Sequence, residues 1–301
     1  MRKLADPLIA IWGVVTVVFF VTRILGDPAV LLLPVGASEA QIQALRAALG
    51  LDQTLPTQYL RFLIRLLHGD FGTSFSFDRP ALVVVLERMP KTIELAAAAL
   101  LIGTLIGAAA GGIAALKRGT SVELAVMAFA LIGQATPVFW LGIMLILLFA
   151  VDLGWLPTGG ADGPRNLLLP AATLGVFVAA SIARLFRSGL LDTMGEDFVR
   201  TARAKGVFPA GVFVRHIARN ALIPVVTMIG IITGELLGGS VVTETVFAWP
   251  GVGRLIVQAI QDQDFPVVQA GVALISSIFV LINLLIDFSY RLLDPRIGAA
   301  G

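Results

Sequence analysis

Six apolar stretches, each long enough or nearly long enough to cross a lipid bilayer, limit this chain more than any other feature. A helix needs about 20 apolar residues to traverse the hydrocarbon core, where every backbone polar group must find its partner internally. The stretches are Leu8 to Leu25, Thr92 to Leu116, Leu124 to Val151, Leu167 to Ala183, Ala221 to Thr243 and Val267 to Ile286. The fourth is short, and Arg184 extends it by snorkelling. Composition agrees: 57% of residues are hydrophobic and 14% charged, against about a quarter charged in soluble domains. The expectation is an all-α membrane protein with six transmembrane helices. A net charge of +2 is too small for a nucleic-acid binder, and the chain has no cysteine for disulfides or thiolate chemistry.

Lys and Arg in short loops stay on the cytoplasmic side and so set orientation. Arg2 and Lys3, Lys117 and Arg118, the Arg187 to Asn220 loop, and Arg291 with Arg296 all fall on one side. Asp152 to Asn166 and Glu244 to Pro266, on the other, carry one Arg each. Both termini are therefore expected in the cytoplasm. The first apolar run could be a cleavable signal peptide. The absence of a small-residue cleavage pattern before Gly26-Asp27-Pro28 favours a retained helix.

Four segments follow: a first transmembrane helix (1–25), an extracytoplasmic helical lobe (26–91), a five-helix core (92–291) with a cytoplasmic loop (187–220), and a cytoplasmic tail (292–301). Two helices are expected in the lobe. One starts on a Ser38/Gln41 capping box, shows Ile42, Leu45 and Leu49 on one face, and stops at Gly50. The other follows Pro56, with Tyr59, Phe62, Leu63, Leu66 and Leu67 as a stripe. The lobe reads equally as a lid on the membrane surface or as a platform for an external partner. Gly103, Gly107 and Gly111, and likewise Gly230, Gly234 and Gly238, recur every four residues, which suits close helix packing. Pro137 should kink the third span.

No Gly-Lys dipeptide occurs, so the usual phosphate-binding loop is missing; zinc-protease and nucleophile-elbow motifs are missing too. The only histidines, His68 and His216, are expected on opposite sides of the membrane. Glu235 is the one acid deep in a span, which favours a protein- or water-facing position. Glu94 and Asp287 lie near span ends and read as structural. In the long loop, Leu191, Met194, Phe198 and Ala202 fall on one helical face, with Arg200, Arg203 and Lys205 largely elsewhere, and Gly206 ends the helix. Such a helix could seat in a partner's groove or lie on anionic lipid, and the residues alone do not choose.

Glu196-Asp197-Phe198-Val199-Arg200-Thr201-Ala202-Arg203-Ala204-Lys205-Gly206, then Arg215-His216 and Arg219-Asn220-Ala221-Leu222-Ile223-Pro224, resemble the ATPase-docking loop of ATP-binding-cassette (ABC) importer permeases of the dipeptide, oligopeptide and nickel branch. Gly69-Asp70-Phe71-Gly72-Thr73-Ser74, Thr136-Pro137-Val138-Phe139-Trp140, Gly154-Trp155-Leu156-Pro157 and Pro250-Gly251-Val252-Gly253 extend the resemblance over nearly the whole chain. Arg200-Thr201-Ala202 stand where the general loop has Glu-Ala-Ala, so docking should use different side chains.

The resemblance implies the type I ABC importer permease fold in a bacterial plasma (inner) membrane. It implies a heterodimer with a second homologous permease, two ATPase subunits carrying ATP and Mg, and an extracytoplasmic solute-binding protein, with no cofactor on this chain. It implies ATPase coupling through Phe198, Arg200, Thr201, Ala202, Arg203, Lys205 and Gly206. Glu235, Glu244, Trp249, Arg254 and Pro137 are the candidate pore or gate residues, a packed turn being the plainer account of 244–254. Peptides are the expected cargo, nickel or another small solute the runner-up, and a secondary transporter or a purely structural membrane subunit the rival classes.

Overall fold

The computed structural model describes residues 2–25, 28–31, 33 and 36–293. The expectations for Gly26, Asp27, the Leu49 and Asp287 side chains and the tail from 294 onward lie outside the described residues. Helices account for nearly all of the described chain, which divides into two compact units: Met1–Thr92 with Pro250–Val280, and Ile93–Trp249 with Leu281–Gly301.

The first unit opens with α1 (Arg2–Leu25). Next come α2 (Glu39–Leu49) and α3 (Leu55–Leu67). The Ser38 capping box forms as expected, Gln41 returning its side chain to the Ser38 backbone N–H. Gly50 closes α2 at φ 67°, a left-handed value that glycine adopts without steric cost. Phe19 of α1 is fully buried, stacked on Phe62 with ring centroids 5.1 Å apart, and Thr16 is hydrogen-bonded to the Tyr59 hydroxyl at 2.6 Å. Leu67, expected on this stripe, is instead 85% exposed at the last position of the helix.

Ala81, Val84, Val85 and Met89, from the start of α4 (Ala81–Leu116), form the unit's core with α11 (Val252–Gln261) and the first turns of α12 (Phe265–Leu293). Helix α4 starts well before the Thr92 expected for the second span, because Pro90 sits inside it without ending it. Buried Asp264 accepts from the Ser74 hydroxyl and, at 3.1 Å, from the Ser76 N–H, fastening the loop after α3 to the start of α12.

The second unit is built on α7 (Pro164–Met194), a 31-residue helix. The fourth span is therefore not short. Arg184 and Arg187 continue the helix, since a charge marks the end of an apolar run but does not break hydrogen bonding. The Gly103, Gly107 and Gly111 repeat of α4 lies directly on it. A Cβ at Gly107 would sit 2.7 Å from Ala179 O, and one at Gly111 2.5 Å from Ala183 O. Close packing accounts for this stripe. Gly230 is similarly tight against Ile286, where a Cβ would meet Cγ1 at 2.8 Å.

The third span differs most from expectation. Instead of one kinked helix, α5 (Ser121–Ala135) and α6 (Val138–Leu145, continued by a π-helical stretch Ile146–Asp152) meet at 105°. Proline disfavours helical geometry in the residue before it. Thr136 (ψ 128°) and Pro137 (ψ 129°) are both extended, so the chain turns a corner there.

Among the described residues four helices are long and apolar enough to span: Ala81–Leu116, Pro164–Met194, Pro209–Gly238 and Phe265–Ile286. The α5–α6 pair makes a fifth if counted as one span, and Ile9–Ile24 is a shorter apolar helix. Large apolar side chains such as Leu105, Leu124, Phe129 and Ile132 are exposed, as a lipid-facing surface requires.

Candidate functional site

The Gly195-Glu196 break ends α7, and a short amphipathic helix, α8 (Asp197–Ala204), follows. The break rotates the chain and overturns the expected Leu191, Met194, Phe198 and Ala202 face. Val199 and Ala202 are the buried anchors, whereas Phe198 is 42% exposed. Asp197 in the first turn and Arg203 in the last each match the helix dipole. Gly206 lies at φ 78°, its N–H bonding Arg203 O at 3.0 Å while the Val207 N–H reaches Ala202 O at 3.3 Å. These are the paired bonds of a Schellman stop, so the basic end of α8 is held in a defined shape.

Phe198, Arg200, Thr201, Arg203, Lys205 and Gly206 are thus brought together on an exposed surface, and Ala202 lies beneath it as an anchor. Among the described residues, Arg200 makes a solvent-exposed 3.5 Å contact with Asp197. Sequence reasoning missed two neighbours: Phe208 and Val214 are 68% and 67% exposed. Their signal was a short apolar run, Val207 to Val214, between two basic clusters in the loop joining two spans. The chain continues through a π-helical stretch, Val212–Ala218, anchored by Val212 and Ile217, into α9 (Arg219–Gly239). At the other end of the loop, the Arg187 Nε donates to Glu123 Oε1 at 2.8 Å, joining α7 to the first turn of α5.

The pore candidates lie on separate elements. Glu235 is exposed on α9, and Pro137 is exposed at the α5–α6 corner. Glu244 lies on α10 (Val241–Val246), fully buried, and accepts from the Ser240 hydroxyl at 3.0 Å. Trp249 is also buried, its N–H bonding Glu244 O at 2.8 Å, and Phe247 O accepts from the Gly160 N–H at 2.9 Å. This is the geometry of a packed turn. Arg254 is on α11 in the first unit. No group of three or more His, Asp or Glu suited to a metal occurs among the described residues.

Residues 95–299 match the model of the binding-protein-dependent transport system inner membrane component family, and residues 1–96 match that of the N-terminal part of such membrane components. The chain belongs to this family. It is a multi-pass membrane protein, the permease subunit of a binding-protein-dependent ABC importer. The permease is 45% identical over 283 residues to a glutathione transport system permease protein of Salmonella paratyphi A, covering 94% of this chain and 92% of that one. It is 41% identical to a putative peptide transport system permease protein of Brucella suis, covering 99% and 98%. A methionine ABC transporter in an inward-facing conformation shares the fold, with a TM-score of 0.56 and 22% identity over 70% of the permease and 96% of that chain.

Proposed function

We propose that this permease is one of two homologous subunits lining the translocation path of an ATP-driven importer of short peptides. It spans the bacterial inner membrane six times with both termini in the cytoplasm, α1 and the α5–α6 pair each counting as one span. Two ATPase subunits bind the cytoplasmic face, one of them on the exposed face of α8, and an extracytoplasmic binding protein delivers cargo on the side of the 26–91 lobe. The observation that carries the reading is α8 itself: a short, basic, rigidly capped helix between two apolar helices, seated by Val199 and Ala202 and otherwise exposed.

ATP-driven closure of the ATPases pushes this helix, and its anchors pass the motion to α7 and α9. Glu235, exposed on α9, faces the second permease across the solute path. The peptide cargo follows from the two relatives, one named for glutathione, a tripeptide, and the other for peptides. Uptake of a labelled tripeptide into proteoliposomes holding the full importer tests the reading. It should require ATP and the binding protein; uptake driven by an ion gradient without ATPases would overturn it.

A further inference from the structure

Within the first unit, α1, α2, α3 and the start of α12 enclose an open cavity of about 850 Å³. That is the size of a small-molecule site, for which about 300–1,000 Å³ is usual. Phe62, Phe75 and Phe265 give it apolar wall, and charge of both signs lines it.

Most of that charge is already committed. The Arg65 guanidinium grips the Asp70 carboxylate at two points, 2.8 and 3.1 Å, and Arg23 lies over the Phe19 ring at 5.3 Å. Two groups are different. Arg61 and Asp78 both line the cavity and make no side-chain ion pair among the described residues. Asp78 is also held at φ 50°, a backbone state uncommon outside glycine, and such outliers collect at ligand sites. One guanidinium and one carboxylate without an ion-pair partner among the described residues, on the wall of one partly apolar cavity, complement a ligand carrying a carboxylate, an ammonium and small apolar side chains.

We propose that this cavity is a transit subsite for a short zwitterionic peptide, the carboxylate meeting Arg61 and the ammonium meeting Asp78. The proposal rests on the peptide-importer reading and adds to it a place on this chain where cargo pauses. A phosphatidylethanolamine headgroup carries the same pair of charges, so the test separates the two sources.

The chain's lack of cysteine makes a single reporter clean. Thr73→Cys, on the cavity wall, and Ala40→Cys, exposed outside it, are made separately in the full importer with cysteine-free partners, in nanodiscs without phosphatidylethanolamine. With about 10 mM trialanine, well above the ~1 mM Kd of a weak site, alkylation of Thr73→Cys should slow about tenfold and that of Ala40→Cys should not change. The uncharged N-acetyl-trialanine amide should give no protection, and adding Arg61→Gln or Asp78→Asn should remove that of trialanine.

Equal protection by the uncharged peptide, or protection that appears only when phosphatidylethanolamine is restored, would overturn the proposal. ATP-driven uptake is measured on the same importer in vesicles. Uptake without protection would overturn this subsite and leave the importer reading standing. Protection without uptake would keep a peptide-binding cavity but overturn the peptide-cargo reading and, with it, the transit role proposed here.

Discussion

Replacing Gly107 with alanine tests the helix packing at the centre of the second unit. The new Cβ would lie 2.7 Å from Ala179 O, 2.9 Å from Ile182 Cβ and 3.0 Å from Ala179 Cα. Two of these three atoms are backbone, so no rotamer change relieves the contact. To restore spacing near ~3.5 Å, α4 and α7 must part by roughly 0.5–1 Å. Overpacking of this kind costs about 1–3 kcal/mol. Alanine's higher helix propensity returns up to about 1 kcal/mol, so a control with the same gain isolates the clash. Gly112 provides it: a Cβ there meets only Phe186 Cε1, at 3.9 Å, an ordinary contact. The difference between Gly107→Ala and Gly112→Ala is therefore the clash alone. At about 2–4 °C per kcal/mol for a unit of this size, thermal unfolding of the purified importer should place Gly107→Ala about 2–12 °C below Gly112→Ala. Equal melting temperatures would refute the close approach of α4 to α7.

Other substitutions probe separate contacts. Arg187→Ala removes the guanidinium that holds Glu123 and should lower the melting temperature measured by thermal unfolding; Arg187→Lys should recover only part. Asp264→Ala leaves the Ser74 hydroxyl and Ser76 N–H without their acceptor, and should cost about 1–3 kcal/mol and speed proteolysis of the loop after α3. The hydrogen bond from Arg65, assisted by the Gly72 N–H, holds the Asp70 carboxyl below its usual range. Its stabilisation is present above the unfolded-state pKa and is lost as pH falls through the folded one. Both side chains are more than half exposed, so the effect of Arg65→Gln should stay below about 1 kcal/mol. It should be constant from neutral pH to about pH 5 and fade below about pH 4.

What the sequence revealed divides by the range of the interactions that decide each feature. The α2 cap and the Gly50 and Gly206 stops depend on residues a few positions apart and were legible, as were the apolar stretches at the heart of the four helices long enough to span. The packing of Gly103, Gly107 and Gly111 was legible as a spacing, though not its partner, because nothing local names α7. The α5–α6 corner was underestimated. Proline gives the position of a break, whereas its angle depends on what the two halves pack against, Gly133 on Val176 and Gly142 on Phe247. The face of α8 was misread because one helical period was carried across Gly195, where the chain restarts. A packed turn at 244–254 was legible, though not the Gly160 N–H that Phe247 O accepts from. The cavity beside Arg61 and Asp78 has no local signature at all.

The most direct test of coupling through α8 compares uptake with hydrolysis in one preparation. Gly206→Val forces a β-branched residue into φ 78°, a left-handed strain of about 1–2 kcal/mol. No heavy atom lies within 4 Å of the added Cβ, so the damage should stay in the α8 cap. The account predicts an importer that assembles with its ATPases and hydrolyses ATP yet loses most binding-protein-dependent peptide uptake. Uptake and hydrolysis both at wild-type levels would contradict it.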